Sequence, residues 1–148
     1  MAAALYTREI LRLAASIPHQ QRLAAPDATA EKRSPICGSQ VVVDVVLDAE
    51  GRVAAIGQDV KACALGQASA ALLGAHAIGA TAAELAAARD TLGAYLRGQC
   101  EHSDLWPGLS LFAEARPFAA RHPSILLPFE AAAEAAALAA TAAAAKAA

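Results

Sequence analysis

The sequence predicts an α+β domain in which an N-terminal helix precedes a small antiparallel sheet of two to three strands, with further helices packed on one face of that sheet. Two observations lead to this prediction. Residues 41–60 have the β-branched composition and central turn of a β-hairpin. After residue 63 the apolar residues follow the 3.6-residue period of helices. A helix, then antiparallel strands, then helices is the element order of an α+β domain.

The N-terminal helix is predicted from about Tyr6 to Ser16, because leucines and an isoleucine recur there at helical spacing before Pro18 breaks the pattern. Residues 19–36 are expected to be mostly loop. Within that loop, 29–34 could pair as a short edge strand.

The hairpin is the clearest secondary-structure signal in the chain. Its two strands, 41–47 and 52–60, are rich in valine, alanine and isoleucine and are separated by the turn 48–51. Gly51 supplies the positive φ that such a turn requires.

Three helices are predicted after the hairpin, over residues 64–77, residues 81–96 and from about Pro128 onward. Gly79 follows the first as a C-cap, and Thr81 with Glu84 forms a capping box that opens the second. Residues 98–120 are expected to be a long loop with one helical turn, in which Trp106 either holds the loop against the helices or anchors an interface. We divide the chain into a single domain at 1–138 and an alanine-rich tail at 139–148.

Composition excludes several classes of function. The 148 residues suit one domain, and 57% of them are hydrophobic, many being alanine. The net charge of −2 has no basic stripe, so nucleic acid is not an expected partner. Fully apolar stretches are shorter than the roughly 20 residues of a membrane span, so no membrane association is expected. Three cysteines, an odd number, suit a reducing compartment and indicate a cytoplasmic protein.

Cys37 and Cys63 are the candidate functional residues. Cys37 lies just before the first hairpin strand, and Cys63 lies at the start of the helix that follows the hairpin. A helix N-terminus favours a thiolate, the form of cysteine that binds soft metals and attacks sulfur. The alternative is that both are small buried apolar residues, as free cysteines often are.

Three short motifs, in order, resemble one family. Residues 34–39 read Ser-Pro-Ile-Cys-Gly-Ser and are similar to Asn-Pro-x-Cys-Gly-Asp. Residues 63–70 are similar to the motif Gly-Cys-x-x-x-x-Ala-Ser-Ala from its cysteine onward, and residues 121–129 lie where the pattern has Arg-x-x-Cys-Ala-x-Leu-x-Trp. The chain therefore resembles the IscU/NifU-type iron–sulfur cluster scaffold family over about residues 5–138. Its spacing is most similar to the SufU branch.

The resemblance implies a scaffold or sulfur acceptor rather than a turnover enzyme. It implies a 2Fe–2S cluster or iron held through Cys37 and Cys63, or, as in the SufU branch, a zinc-dependent acceptor of sulfur. The implied partners are a cysteine desulfurase and cluster-carrier or acceptor proteins. Two motif positions depart from the pattern, because Ser39 replaces the acidic residue and Ser124 replaces the third cysteine, and both serines are kept as candidate metal ligands.

Other donors are candidates to complete a metal site. His122 lies two residues before Ser124 and could offer an imidazole, although an exposed loop histidine is the alternative. Cys100 and His102, in the long loop, form a second possible donor pair. Two functions follow from these alternatives: a cluster scaffold or sulfur relay acting through Cys37 and Cys63, or an adaptor of the assembly machinery that keeps the fold without binding a cluster.

Overall fold

The computed structural model describes residues 5–35, 38–101 and 106–147, and it confirms the predicted α+β class. The elements in chain order are α1 (Arg8–Ala14), β1 (Ala28–Arg33), β2 (Gln40–Leu47), β3 (Val53–Lys61), α2 (Ala64–His76), α3 (Ala82–Leu96) and α4 (His122–Ala147). Short 3₁₀ segments at Leu109–Ala115 and Ala119–Arg121 lie between α3 and α4. They replace the single helical turn predicted for that loop.

The three strands form one antiparallel sheet in the order β1-β2-β3. The predicted hairpin is β2 and β3, with Val41 opposite Val60, and the predicted edge strand is β1, with Ala30 opposite Val43. Alternate residues of a strand point to opposite faces. Val41, Val43 and Val45 of β2 are fully buried in the main core, and α4 contacts both β1 and β2 on that face.

The opposite face of the sheet is crossed by the loop between α1 and β1. Gly57 of β3 lies directly beneath this loop, where a Cβ would collide with the backbone of Gln21. Asp44, in the middle of β2, has no exposed surface and accepts hydrogen bonds from Arg22 Nε at 2.7 Å, Leu23 N–H at 2.9 Å and Thr29 Oγ1 at 2.5 Å. We call Asp44, Arg22, Leu23 and Thr29 the Asp44 cluster.

Helix α4 begins at His122, so the prediction that the last helix starts near Pro128 is wrong. Pro128 lies inside the helix and has no N–H to donate to the carbonyl of Ser124, four residues earlier. Ile125, Leu127 and Phe129 flank the proline and are buried. Burial of these side chains outweighs the local cost of the proline. Helix propensity does not include tertiary burial, so the sequence pattern did not predict that the helix continues through Pro128.

By length and composition, α4 and the short turn before it could span a membrane. More than half of its most apolar window, 56%, is however buried inside the protein. The helix packs against β1, β2, α2 and α3. Its apolar character therefore serves the core, and its last turns continue through the alanine-rich stretch to Ala147.

Two local predictions are confirmed. Thr81 and Glu84 form both hydrogen bonds of a capping box at the start of α3. Trp106 is buried against the helices: its Nε1 donates to Leu72 O at 2.9 Å, and its ring meets Phe129 edge-on with centroids 5.5 Å apart. The indole thus fixes the segment after residue 105 on α2 and α4.

Candidate functional site

Cys63 is the N-cap residue of α2, as predicted. Its backbone is extended, with φ −67° and ψ 172°, and its side chain makes no capping hydrogen bond. The thiol is free and partly exposed. Cys63 therefore presents its sulfur at the start of a 13-residue helix, where the first backbone N–H groups have no intrahelical acceptor.

Two serine hydroxyls lie beside this thiol. Cys63 Sγ is 3.1 Å from Ser124 Oγ, and Ser124 Oγ is 3.5 Å from Ser39 Oγ. Ser124 belongs to the first turn of α4 and Ser39 immediately precedes β2, and both are buried. Three distant parts of the chain thus meet at one end of the sheet, and they include both motif positions where serine departs from the family pattern.

The loop that carries Cys37 is closed by backbone hydrogen bonds at its described ends. Ser34 N–H donates to Ser39 O at 2.9 Å, and Gly38 N–H donates to Ser34 O at 3.1 Å. Gly38 has a φ of +73°, a conformation that glycine adopts without strain. Cys37 itself lies outside the described residues, so its place in the site remains a prediction.

Ser34 extends this polar group. The sheet register that pairs Arg33 with Gln40 continues into the backbone bond between Ser34 and Ser39. Ser34 is only 3% exposed, and its Oγ has no hydrogen-bond partner among the described residues. We call Ser34, Ser39 and Ser124 the hydroxyl cluster.

Gly66, in the first turn of α2, makes the approach of Ser124 possible. A Cβ at residue 66 would lie 2.8 Å from Ser124 Oγ, 3.1 Å from Ser124 O and 2.7 Å from the Cβ of Ala62. Real Cβ atoms do not come so close to their neighbours. The absence of a side chain at Gly66 therefore lets α4 place Ser124 against the start of α2.

His122 makes its described contacts away from the thiol. Its Nε2 lies 3.0 Å from Ala115 O and 3.1 Å from Arg116 O. Both partners are carbonyl oxygens and can only accept, so Nε2 carries the proton. Residues two apart on a helix do not share a face, which is why His122 and Ser124 point in different directions.

Cys100 lies in a segment held by Arg116. The guanidinium of Arg116 donates to Cys100 O at 3.3 Å and to Tyr95 O at 2.8 Å, and it stacks on the Tyr95 ring. Its ion pair with Glu101 raises the pKa of Arg116. His102, the second member of the predicted donor pair, lies outside the described residues.

The described donors do not form a complete soft-metal site. Within residues 5–35, 38–101 and 106–147 no three His, Cys, Asp or Glu side chains converge. Around Cys63 the described partners are neutral hydroxyls, which are poor ligands for zinc or iron–sulfur centres compared with thiolate or imidazole. The hydroxyl in contact with Cys63, that of Ser124, can donate a hydrogen bond to an anion.

Sequence reasoning missed two contributors. Ser34 stands at the motif position of asparagine, and its cross-strand relation to Ser39 could have been found from the hairpin-like spacing of their strands. Gly66 lies inside the second motif, where a small residue three positions after the N-cap indicates close helix packing. The meeting of Gly66 with Ser124 depends on tertiary structure and has no local signal.

Solved structures resemble this chain over almost its whole length. The N-terminal part of a nitrogen-fixing NifU-like protein from Brucella abortus superimposes with a TM-score of 0.88 at 36% sequence identity, covering 95% of this chain and 97% of that one. A protein assigned as an iron–sulfur cluster assembly scaffold for the SUF system of Fervidobacterium islandicum gives 0.84 at 17% identity, covering 92% and 99%. The second likeness shows the fold alone. No protein-family model and no curated protein sequence matches the chain.

Proposed function

Because the chain belongs to the IscU/NifU-type scaffold family, we propose that it works in iron–sulfur cluster assembly and accepts sulfur on Cys63. A cysteine desulfurase is the proposed donor, and a cluster carrier or acceptor protein is the proposed recipient. The observation that supports the proposal most strongly is the 3.1 Å contact between Cys63 Sγ and Ser124 Oγ at the start of α2.

Sulfur transfer to Cys63 needs no outside oxidant. The Cys63 thiolate attacks the terminal sulfur of a persulfide on the donor cysteine, and a new S–S bond forms to Cys63. The S–S bond within the donor breaks, and the donor cysteine leaves as a thiolate with the bonding electron pair. The terminal sulfur has moved from one cysteine to another, and the number of electrons is unchanged.

The surroundings of Cys63 favour this step. Its side chain is partly exposed, so an incoming donor can reach the sulfur, while the hydroxyls behind it are buried. A hydroxyl that donates to a sulfur anion stabilises it, and the free N–H groups of a helix start act in the same direction. These features suit a nucleophilic thiolate better than they suit an uncharged apolar cysteine.

Cluster or metal binding is the further role that we assign to Cys37 with Cys63. Two thiolates would hold iron or a 2Fe–2S cluster as cargo only in part, since such clusters take four protein ligands. With Ser39 and Ser124 as hydroxyls, the missing ligands would come from a second protein. Zinc, the alternative ion, has the same requirement for further donors.

The test is to mix the purified protein with a cysteine desulfurase and cysteine under anaerobic conditions and to find the extra sulfur by mass spectrometry. We expect it on the Cys63 peptide of the wild type. Cys63→Ser should lose it, and Cys100→Ser should retain it. Iron and zinc contents of wild type, Cys37→Ser and Cys63→Ser, measured in the same preparations, report on cargo binding.

Capture of the desulfurase with no sulfur on Cys63 would contradict this function. That result would favour an adaptor of the assembly machinery that retains the fold without the chemistry. Sulfur that appears on Cys100 in place of Cys63 would also contradict it, because the acceptor would then lie in the segment held by Arg116.

A further inference from the structure

We infer that the hydroxyl cluster is a binding site for the terminal sulfur anion of a persulfide on Cys63, with Ser34 and Ser124 as positioning residues. The inference rests on the proposed function, because it assigns the sulfur-holding part of the same site. It concerns the residues that retain the sulfur once it has been transferred. The ligand is a compact, singly charged sulfur anion.

The first observation is that Ser34 lies on the side of the sheet that faces α4. Lys32 pairs with Glu134 of α4 at 3.3 Å, so Lys32 lies on the helix-facing side of β1. Ser34, two residues further, lies on the same side. Ser39 is its partner across the strands and also faces α4, since it contacts Ser124. Partners in an antiparallel pair have Cβ atoms about 5 Å apart, so Ser34 adjoins the Ser39–Ser124–Cys63 contacts.

The second observation is that the hydroxyl of Ser34 has no hydrogen-bond partner among the described residues. A buried hydroxyl without a hydrogen bond is costly, and such groups are rare in native structures. The Oγ of Ser34 is in this state among the described residues, and Ser34 is the cross-strand partner of Ser39. An acceptor bound in the site would satisfy it.

The chemistry of the donors decides the charge of that ligand. The hydroxyls of Ser34 and Ser124 and the first N–H groups of α2 can donate, and the side chain of Cys63 does not cap those N–H groups. The hydroxyl cluster, made of three serines, contains no carboxylate or imidazole to attract a cation. Donors of this kind, partly screened from water, stabilise an anion. The Sγ of Cys63, to which the added sulfur would be bonded, lies 3.1 Å from Ser124 Oγ.

The experiment uses inorganic polysulfide as the sulfur source, so it does not depend on a desulfurase. The Cys63 thiolate attacks a polysulfide sulfur, one S–S bond forms and one breaks, and a shorter polysulfide leaves. After desalting, the half-life of the persulfide on the Cys63 peptide is followed by mass spectrometry. We expect Ser124→Ala and Ser34→Ala each to shorten it, by roughly tenfold for the loss of one hydrogen bond to a charged group.

Two matched variants separate positioning from packing. Ser69→Ala removes a buried hydroxyl from the same α2–α4 interface, where Ser69 Oγ donates to Ile125 O at 2.5 Å, and the persulfide half-life should not change. Ser34→Thr keeps a hydroxyl at the strand end and should restore the wild-type half-life. Thermal unfolding of each variant identifies any loss of fold.

The inference is overturned if both alanine variants hold the persulfide as long as the wild type, or if wild-type Cys63 takes no sulfur from polysulfide. A long-lived persulfide from polysulfide with none from a desulfurase would support the anion site and refute the proposed function. Sulfur transfer from a desulfurase, with unchanged persulfide half-lives in Ser34→Ala and Ser124→Ala, would support the proposed function and refute the anion site.

Discussion

The Asp44 cluster and the hydroxyl cluster lie on opposite faces of the sheet and differ in how fully the hydrogen bonds of their buried groups are formed. In the Asp44 cluster, one carboxylate accepts four hydrogen bonds, two of them from the guanidinium of Arg22 at 2.7 and 3.1 Å. In the hydroxyl cluster, the oxygens of Ser39 and Ser124 are 3.5 Å apart and the Oγ of Ser34 is unpaired among the described residues.

This difference indicates two roles. A buried network whose groups are all paired adds to stability and fixes the chain that it joins, here the loop after α1. A network with a buried donor left unpaired loses stability, and the loss is recovered when a ligand binds. Asp44 is as buried as the three serines, although Arg22 and Thr29 at the edge of its cluster are exposed. The state of the hydrogen bonds around the buried groups is therefore what separates a structural cluster from a candidate site.

The largest effect on stability should come from Asp44→Ala. The change leaves Leu23 N–H, the Thr29 hydroxyl and Arg22 without their shared acceptor. We expect a loss of about 3 kcal/mol in the free energy of unfolding, at the lower end for a broken buried pair because Arg22 is half exposed and can be hydrated. Urea unfolding monitored by circular dichroism gives the value.

An exposed ion pair on the same sheet is the control. Arg33 contacts Glu31 at 3.3 Å with both side chains largely exposed, so Arg33→Ala should change stability by less than about 0.5 kcal/mol. Equal effects of the two substitutions would refute a structural role for the Asp44 cluster.

The Asp44 cluster should also make stability depend on pH. Burial alone would raise the pKa of Asp44, but hydrogen bonds from Arg22, Thr29 and Leu23 N–H outweigh it and hold this pKa below 3.8. A lowered carboxyl pKa adds stability above that ordinary value, and the addition is lost as the pH falls through the folded-state pKa. Urea midpoints of wild type and Asp44→Asn should therefore converge below pH 3.8. A constant difference would contradict this.

Gly66→Ala should cost less stability but should disturb the candidate site. The new methyl group would collide with Ser124 and Ala62, and overpacking of this kind costs about 2 kcal/mol. Displacement of Ser124 should also reduce the sulfur retained on Cys63. Unfolding and persulfide mass spectrometry on the same variant measure both effects.

Gly93→Ala is the matched control within α3. There a Cβ would meet only the flexible end of Arg97, at 3.1 Å from its Nη1. Alanine favours helix over glycine, so this variant should be as stable as the wild type or more stable by up to about 1 kcal/mol. If Gly66→Ala behaves like Gly93→Ala, the close approach of α2 to Ser124 is not required.

Ser69→Ala should cost less stability than Asp44→Ala or Gly66→Ala. Its hydroxyl makes one buried hydrogen bond, to Ile125 O, and the loss should be about 1 kcal/mol, measured by urea unfolding. A neutral result would mean that this bond does not help to hold α2 against α4.

Local sequence patterns predicted most of the fold. The hairpin, the edge strand β1, the capping box at Thr81 and the N-terminal position of Cys63 each depend on residues close in sequence. The start of α4 was missed because Pro128 ends most helices, and only burial of its neighbours shows why this one continues.

The site was predictable only in part. The motifs identified Cys63, Ser39 and Ser124, which lie together, but also His122, whose ring bonds to the carbonyls of Ala115 and Arg116. Because the start of α4 was predicted too late, the sequence spacing did not show that His122 and Ser124 face different sides of this helix. Ser34 and Gly66 matter through contacts between distant elements, and such contacts leave no local pattern.

The most direct test compares stability and sulfur retention in Ser34→Ala. If the Ser34 hydroxyl is kept for a ligand, its removal should leave the free energy of unfolding unchanged or raise it by up to about 1 kcal/mol, because an unpaired buried polar group is lost. In the same preparation the persulfide on Cys63 should decay faster than in the wild type. A less stable variant that retains its persulfide as long as the wild type would contradict this assignment.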